Sequence, residues 1–261
     1  MISVIIPVLD EADRLPALLA ALKDQDAVFE AIVIDGGSTD AITDIVRALG
    51  VTILRSPPGR GQQLAVGAAH ATGDVLLFLH ADTTLPPGAL EAIDRALNAD
   101  AALLGGNFRL LFDGEDGFSA WLNGFYAWLR RRGFYYGDSG IFVRRSVYDR
   151  LGGIKPIPLM EDYDFVRRLE RAGPTTCIEA PPLVTSSRRF VGRHPLAIVG
   201  RWLKIHAYYH LGVSPETLVR IYDRDEGTPR GSWRVRLGTR LGVPKGNRTP
   251  VSGVRGQRPN R

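Results

Sequence analysis

Four short runs rich in Val, Ile and Leu recur within the first 80 residues, at 2–7, 30–35, 51–55 and 74–79. Between them, residues 12–22, 40–49 and 61–71 place their apolar side chains at helical spacing. Regular exchange of strand and helix restricts the first half to βαβ units, a mostly parallel sheet with right-handed crossovers and helices on its faces. Asp40 is the expected N-cap of the second helix. Beyond residue 80 the alternation fades into a helix at 87–98, a strand at 102–111, a helix at 118–132, a strand at 141–144, a helix at 162–172 closed by Gly173, and a helix at 195–211. The expected class is α/β with a mixed α+β second half, and no internal repeat is visible.

Charge is unevenly distributed. The chain has 33 Lys and Arg against 28 Asp and Glu, but nine of the basic residues and none of the acids lie in 227–261, so residues 1–226 carry a net −4. A nucleic-acid binder carries its positive charge on the folded body, so no nucleic-acid partner is expected. The Gly, Pro and Arg-rich stretch 227–261 reads as a disordered tail behind one domain at 1–226. A single cysteine, Cys177, leaves no internal disulfide and fits a reducing compartment, with the cytoplasm as the expected location. The acidic start of the chain lacks the basic and apolar regions of a leader, and 195–213 is interrupted by Arg201, Lys204, His206 and His210, so neither a leader nor a span is expected.

Open α/β sheets bind ligands beyond the carboxyl ends of their strands. Three such ends carry acids: Asp10 and Glu11 after Pro7, Val8 and Leu9; Asp35 followed by Gly36, Gly37 and Ser38; and Asp82 after His80 and Ala81. Carboxylates meeting on one edge suit a divalent cation and a diphosphate, although the Asp35 segment also makes an ordinary βα turn. Arg60 and Gln63 open the third helix, where free amides and a guanidinium suit phosphate. Neither a three-glycine dinucleotide fingerprint nor a Walker A loop is present. Glu161, Asp162 and Asp164 crowd one helix start, more acids than capping alone requires, and offer a general base. Tyr135, Tyr136, Gly137, Asp138 and Ser139 suit a sugar or acceptor pocket, while the two tyrosines also read as core and rim aromatics.

In this order and spacing, the segments at 4–11, 35–40, 80–82 and 161–162 resemble those of the family-2 inverting glycosyltransferases with the GT-A fold, over roughly residues 2–215. Residues 59–63, 79–83 and 187–190 look like a small bacterial branch found beside radical-SAM proteins and linked with arsenosugar formation. The resemblance implies a Rossmann-like nucleotide half at about 1–100 and an acceptor half at about 101–226. It implies a nucleotide-sugar donor held by Pro7, Leu9, Glu11, Asp35, Gly37, Arg60, Gln63, Ala81 and Asp82. The acceptor would meet Tyr136, Gly137, Asp138, Ser139, Arg188 and Arg189. Asp162, beside Glu161, would be the base, and Asp82 would hold Mg²⁺ or Mn²⁺.

Two positions differ from the family pattern. His80 stands where Asp is usual, so the cation would rest chiefly on Asp82 with His80 as ligand or neighbour, and Gly36 replaces a second Asp that helps read the base, with UDP the favoured donor. Those differences keep a non-catalytic sugar-nucleotide-binding protein in view as a rival. A sugar-nucleotide pyrophosphorylase is a second rival, but residues 7–16 lack its Gly-rich loop with Arg and Lys. The aromatic and basic mixture of 118–132 and 195–211 fits helix packing, a homodimer contact or peripheral membrane contact, so the acceptor is read as a small molecule or a lipid.

Overall fold

Ile2–Val8 (β1) is buried along nearly its whole length, which places it at the centre of a sheet. Even-numbered residues Ile2, Val4, Ile6 and Val8 pack into one apolar cluster and Ile5 into another on the opposite face, the period of two that a strand imposes. This computed structural model describes residues 1–187, 190 and 194–226, with side chains to residue 222. Arg188, Arg189 and the expected tail at 227–261 lie outside the described residues.

Phe29–Asp35 (β2), Thr52–Arg55 (β3) and Val75–Phe78 (β4) complete the parallel half, with Leu15–Lys23 (α1), Ile42–Ala48 (α2) and Arg60–His70 (α3) as crossovers. Thr83–Thr84 (β5), Ala89–Ala99 (α4), Gly105–Phe112 (β6), Gly117–Arg130 (α5), Ile141–Arg144 (β7) and Arg145–Arg150 (α6) follow. Glu161–Ala172 (α7), Thr175–Thr185 (β8), Pro195–His210 (α8) and Pro215–Glu226 (α9) close the described chain. Among the described residues the sheet has eight strands in the order β3-β2-β1-β4-β7-β6-β8-β5. It is parallel from β3 to β4 and mixed beyond, as β7 runs antiparallel to both β4 and β6.

Register fixes the site. Val8 lies opposite Asp35, and Ile5 opposite Phe78, so the chain leaves β1, β2 and β4 on one edge. Phe78 also pairs antiparallel with Ile141, which brings the turn before β7 to that same edge. A third apolar cluster, including Met160, Tyr163, Ile205 and Leu218, seats α8 and α9 against the start of α7.

Two expectations need correction. The cap of α2 is at Ala41, not Asp40; Asp40 instead accepts from the Ile42 amide at 3.2 Å and from the Ala12 amide at 2.9 Å, linking two loops. The strand expected at 102–111 begins only at Gly105, because Ala102 turns back on the carboxylate of Asp100 at 2.8 Å.

Candidate active site

The loops after β1 and β2 are tied together by Asp10. Its Oδ1 accepts from the Thr39 amide at 2.7 Å and the Thr39 hydroxyl at 3.1 Å, and its own amide donates to Ser38 Oγ at 2.9 Å. Buried Asp35 shapes the second loop from within, accepting from the amides of Gly37 at 3.1 Å and Ser38 at 2.8 Å. Gln63 lies beneath both loops. Its Nε2 donates to the carbonyls of Val8 at 2.8 Å and Ile34 at 2.7 Å, so its amide is committed to holding two strand ends, a role the sequence did not suggest. A Cβ on Gly36 would come within 3.0 Å of the Gln63 amide, which explains glycine where a second Asp is usual.

Pro7, Leu9 and Glu11 are half-buried on this edge beside exposed Gly37, with Ala81 buried and Asp82 half-buried at the end of β4. Burial pushes the Glu11 carboxyl up, its 3.0 Å bond from Arg14 pulls it down, and the charges of Asp82 and Asp40 push it up again. Among the described residues no three His, Cys, Asp or Glu side chains gather as a metal-ligating group. The acids do not converge on one point as expected. Asp35 shapes a loop, Glu11 and Asp82 share one field, and Asp162 belongs to a second group. One or two protein oxygens are nevertheless what a hard divalent ion needs when a diphosphate supplies the rest, and the accumulated negative charge at Glu11 and Asp82 fits such an ion.

The second group is organised by Arg60. Its Nε donates to Glu161 Oε1, and its Nη2 lies 3.2 Å from Asp162 Oδ2. Arg60 was expected at a phosphate; in the structure it pairs with these two acids 101 and 102 residues away. Burial works against the Arg60 charge, but Glu161 and Asp162 outweigh it and hold the guanidinium more firmly protonated than usual. The same surroundings divide the acids. Burial dominates at Glu161 and raises its carboxyl, whereas at Asp162 the opposing burial is overcome by Arg60, by the amides of Gly137 and Tyr163 at 2.9 Å and 2.7 Å, and by His80, so its carboxyl falls below the usual range. The two adjacent carboxyls are thus driven in opposite directions, Glu161 up and Asp162 down. Asp164 is separate, paired with Arg168 at 2.7 Å and Lys155 at 3.0 Å.

The predicted acceptor segment forms a 3-10 turn, Gly137–Ser139, before β7. Asp138 is buried and lies 3.5 Å from the hydroxyl of Tyr126. Ser139, expected to face an acceptor, is buried with its hydroxyl donated to the Tyr136 carbonyl at 2.7 Å. The Tyr136 hydroxyl meets His206 Nε2 at 3.0 Å, while His206 Nδ1 faces the Trp202 carbonyl at 2.8 Å. Burial holds His206 below its ordinary pKa, so the neutral ring donates from Nδ1 and accepts from Tyr136.

These groups border a cavity of about 420 Å³. Arg60, His80, Asp138 and Asp162 lie at its polar end, and rings of α5 and α8, Tyr126 and Trp202 among them, form its walls. Sequence reading singled out neither Trp202 nor His206 as a site residue, although their spacing of four on a helix places both on one face.

The Glycosyl transferase family 2 model matches residues 3–149, more than half of the 261-residue chain. A 4,4'-diaponeurosporenoate glycosyltransferase of Staphylococcus haemolyticus is 37% identical over 101 residues, covering 35% of this chain and 27% of that protein. An undecaprenyl-phosphate 4-deoxy-4-formamido-L-arabinose transferase of Sodalis glossinidius is 29% identical over 116 residues, 40% of this chain and 36% of that protein. The chain therefore spans well under two thirds of the length of these relatives. Among solved structures, a Pyrobaculum calidifontis mannosyltransferase in complex with GDP-Man and Mn²⁺ superposes with a TM-score of 0.57 at 19% identity, covering 90% of this chain and 67% of that one. S. aureus TarS in complex with UDP-GlcNAc gives 0.58 at 16% identity, covering 88% and 73%. The parallel half with its loop-bearing edge, the mixed half beyond it and the extent of the family match together mean that the chain belongs to glycosyl transferase family 2 and has the GT-A fold.

Proposed function

We propose that the chain transfers a sugar from a nucleotide diphosphate sugar, with UDP favoured, to an acceptor hydroxyl in a single displacement that inverts the anomeric centre. The observation that carries this reading is Asp162, an anion fixed by Arg60 and two amides at the polar end of a cavity large enough for an acceptor. Solved structures of the same fold in complex with UDP-GlcNAc, and with GDP-Man and Mn²⁺, support the donor class.

In this mechanism Asp162 takes the proton of the acceptor hydroxyl as that oxygen attacks the anomeric carbon. The bond from this carbon to the diphosphate breaks on the opposite face, and the nucleoside diphosphate leaves with the bonding pair. Glu161 anchors Arg60 Nε, which sets Arg60 Nη2 against Asp162 and orients the carboxylate. Asp82, with His80 as the second protein group, would hold Mg²⁺ or Mn²⁺, which neutralises charge on the leaving diphosphate. The loops set by Asp10, Asp35 and Gln63 form the floor of the donor site.

Asp162→Asn tests the assignment. The variant keeps its shape and its hydrogen-bonding outline, so donor still raises its melting temperature, while transfer falls by about 10² or more. Near-normal turnover would remove Asp162 from the role of base.

A further inference from the structure

The outward faces of α5 and α8 repeat one arrangement. On α5, Trp121, Phe125 and Trp128 fall at i, i+4 and i+7, their rings stacked at 4.8 Å and 5.9 Å with planes within 10° and 16°. On α8, Leu196 and Leu203 lie two turns apart on one face. Trp121 is 45% exposed, Trp128 43%, Leu196 76% and Leu203 66%. With Leu211 at the end of α8, these are five of the eight exposed large hydrophobic residues among the described residues, a concentration that scattered surface residues do not produce.

Within the two helices charge has one sign, with exposed Glu115 and Asp116 standing just before α5. Residues 117–132 and 194–213 contain five Lys or Arg and no Asp or Glu, and Arg131, Arg132 and Lys204 are exposed. The Arg132 guanidinium lies 3.8 Å above the Trp128 ring, so an apolar surface and a cation are presented together. A second copy packed face to face would bring these cations against one another. Among the described residues no helix is long and apolar enough to cross a membrane. Trp128 and Leu203 also line the cavity whose other end holds Asp162, so the patch is the rim of that cavity.

We propose that the α5–α8 face seats on an anionic lipid bilayer, with the cavity opening at the membrane surface. The significance of that opening rests on the acceptor reading of the cavity; the docking itself does not. Tryptophans, leucines and basic side chains on adjacent helix faces match the interfacial region of a bilayer, where rings and alkyl groups enter the acyl boundary and cations meet lipid phosphates.

Co-sedimentation of the full chain with vesicles tests this. The chain binds vesicles of equal parts phosphatidylglycerol and phosphatidylcholine, binds phosphatidylcholine alone weakly, and loses binding as salt screens the charges. The double variant Trp121→Gln, Leu196→Gln partitions about tenfold or more weaker, and Arg131→Glu about tenfold weaker. None of these three residues lines the cavity, so vesicle-free hydrolysis of a UDP-sugar with Mn²⁺ stays unchanged. A chain that hydrolyses donor but ignores anionic vesicles overturns the docking and leaves the transfer reading standing. Undiminished binding by the double variant assigns the affinity to the basic stretch 227–261 and also overturns it. A concentration-dependent dimer abolished by the double variant gives the face to a second copy, and the docking on lipid falls with it. Vesicle binding that follows these variants in a chain without donor turnover supports the docking and counts against the transfer reading alone.

Discussion

The amide of Gly137 donates to Asp162 Oδ2 at 2.9 Å, joining the turn before β7 to the first turn of α7. A Cβ at this position would lie 3.0 Å from His80 Nε2 and 3.2 Å from Asp162 Oδ2, so three groups meet here only because one has no side chain. Gly137→Ala displaces the carboxylate by a few tenths of an ångström or more. Turnover is expected to fall about tenfold or more with the donor KM unchanged; steady-state kinetics showing an unaltered kcat would mean that this amide does not orient the base.

Arg60 is the counter-charge of two buried acids. In the native chain the Asp162 carboxyl is depressed, so its stabilising contribution is present above the ordinary value of about 3.9 and is lost as pH falls through the folded value. Glu161, already raised, contributes with the opposite sign. In Arg60→Met the largest charge opposing burial is gone from both; Asp162 keeps only the amides of Gly137 and Tyr163 and the charge of His80, and both carboxyls move up from their native values. The variant is therefore less stable by about 3–5 kcal/mol near neutrality, and its deficit shrinks as pH is lowered and the acids take up protons. Melting temperatures of both proteins at pH 7 and pH 5 decide it, since a deficit equal at the two values contradicts the pairing.

Gln63→Leu removes the donor that holds the ends of β1 and β2, leaving the Val8 carbonyl with the Gly36 amide alone and the Ile34 carbonyl without its side-chain donor. A loss of about 1–3 kcal/mol is expected, or about 2–4 °C of melting temperature per kcal/mol for a chain of this size. Donor affinity weakens with it because the loop above loses its support. A melting curve identical to that of the native chain would show that the strand ends do not need the strut.

Beyond the effect of burial, Asp82→Ala removes one of the two acids whose charges push Glu11 up. Thermal stabilisation by a UDP-sugar is expected to lose most of its dependence on Mn²⁺, by a factor of about ten or more. An unchanged Mn²⁺ titration would take Asp82 out of the metal site.

Much of the sheet was legible because burial on both faces writes itself as continuous apolar runs, so β1 to β4 fall within two residues of their expected limits. The site edge was legible for the same reason, as a residue just past a parallel strand has few other places to go. Long-range partnership was not. The sequence places Arg60 at a helix start, where phosphate is the simplest partner, and nothing local announces two acids more than a hundred residues away. Nor does it separate Asp162 from Asp164, two residues apart on one turn, one facing Arg60 and the other Arg168. β8 escaped notice because Pro181 and Pro182 interrupt it, and the register against β6 shifts between Phe108 and Leu110 where the strand accommodates them. α9 escaped because its packing surface is supplied by α8, outside any local period.

Gln63 and Arg60 stand one turn apart on α3, the first gripping the strand ends beneath the donor loop and the second gripping Asp162. A single helical turn, about 5.4 Å of hydrogen-bonded backbone, does not stretch. On the proposed reading, a donor that presses on the loop would tilt this rigid turn as one body, and the carboxylate of Asp162 would move with it.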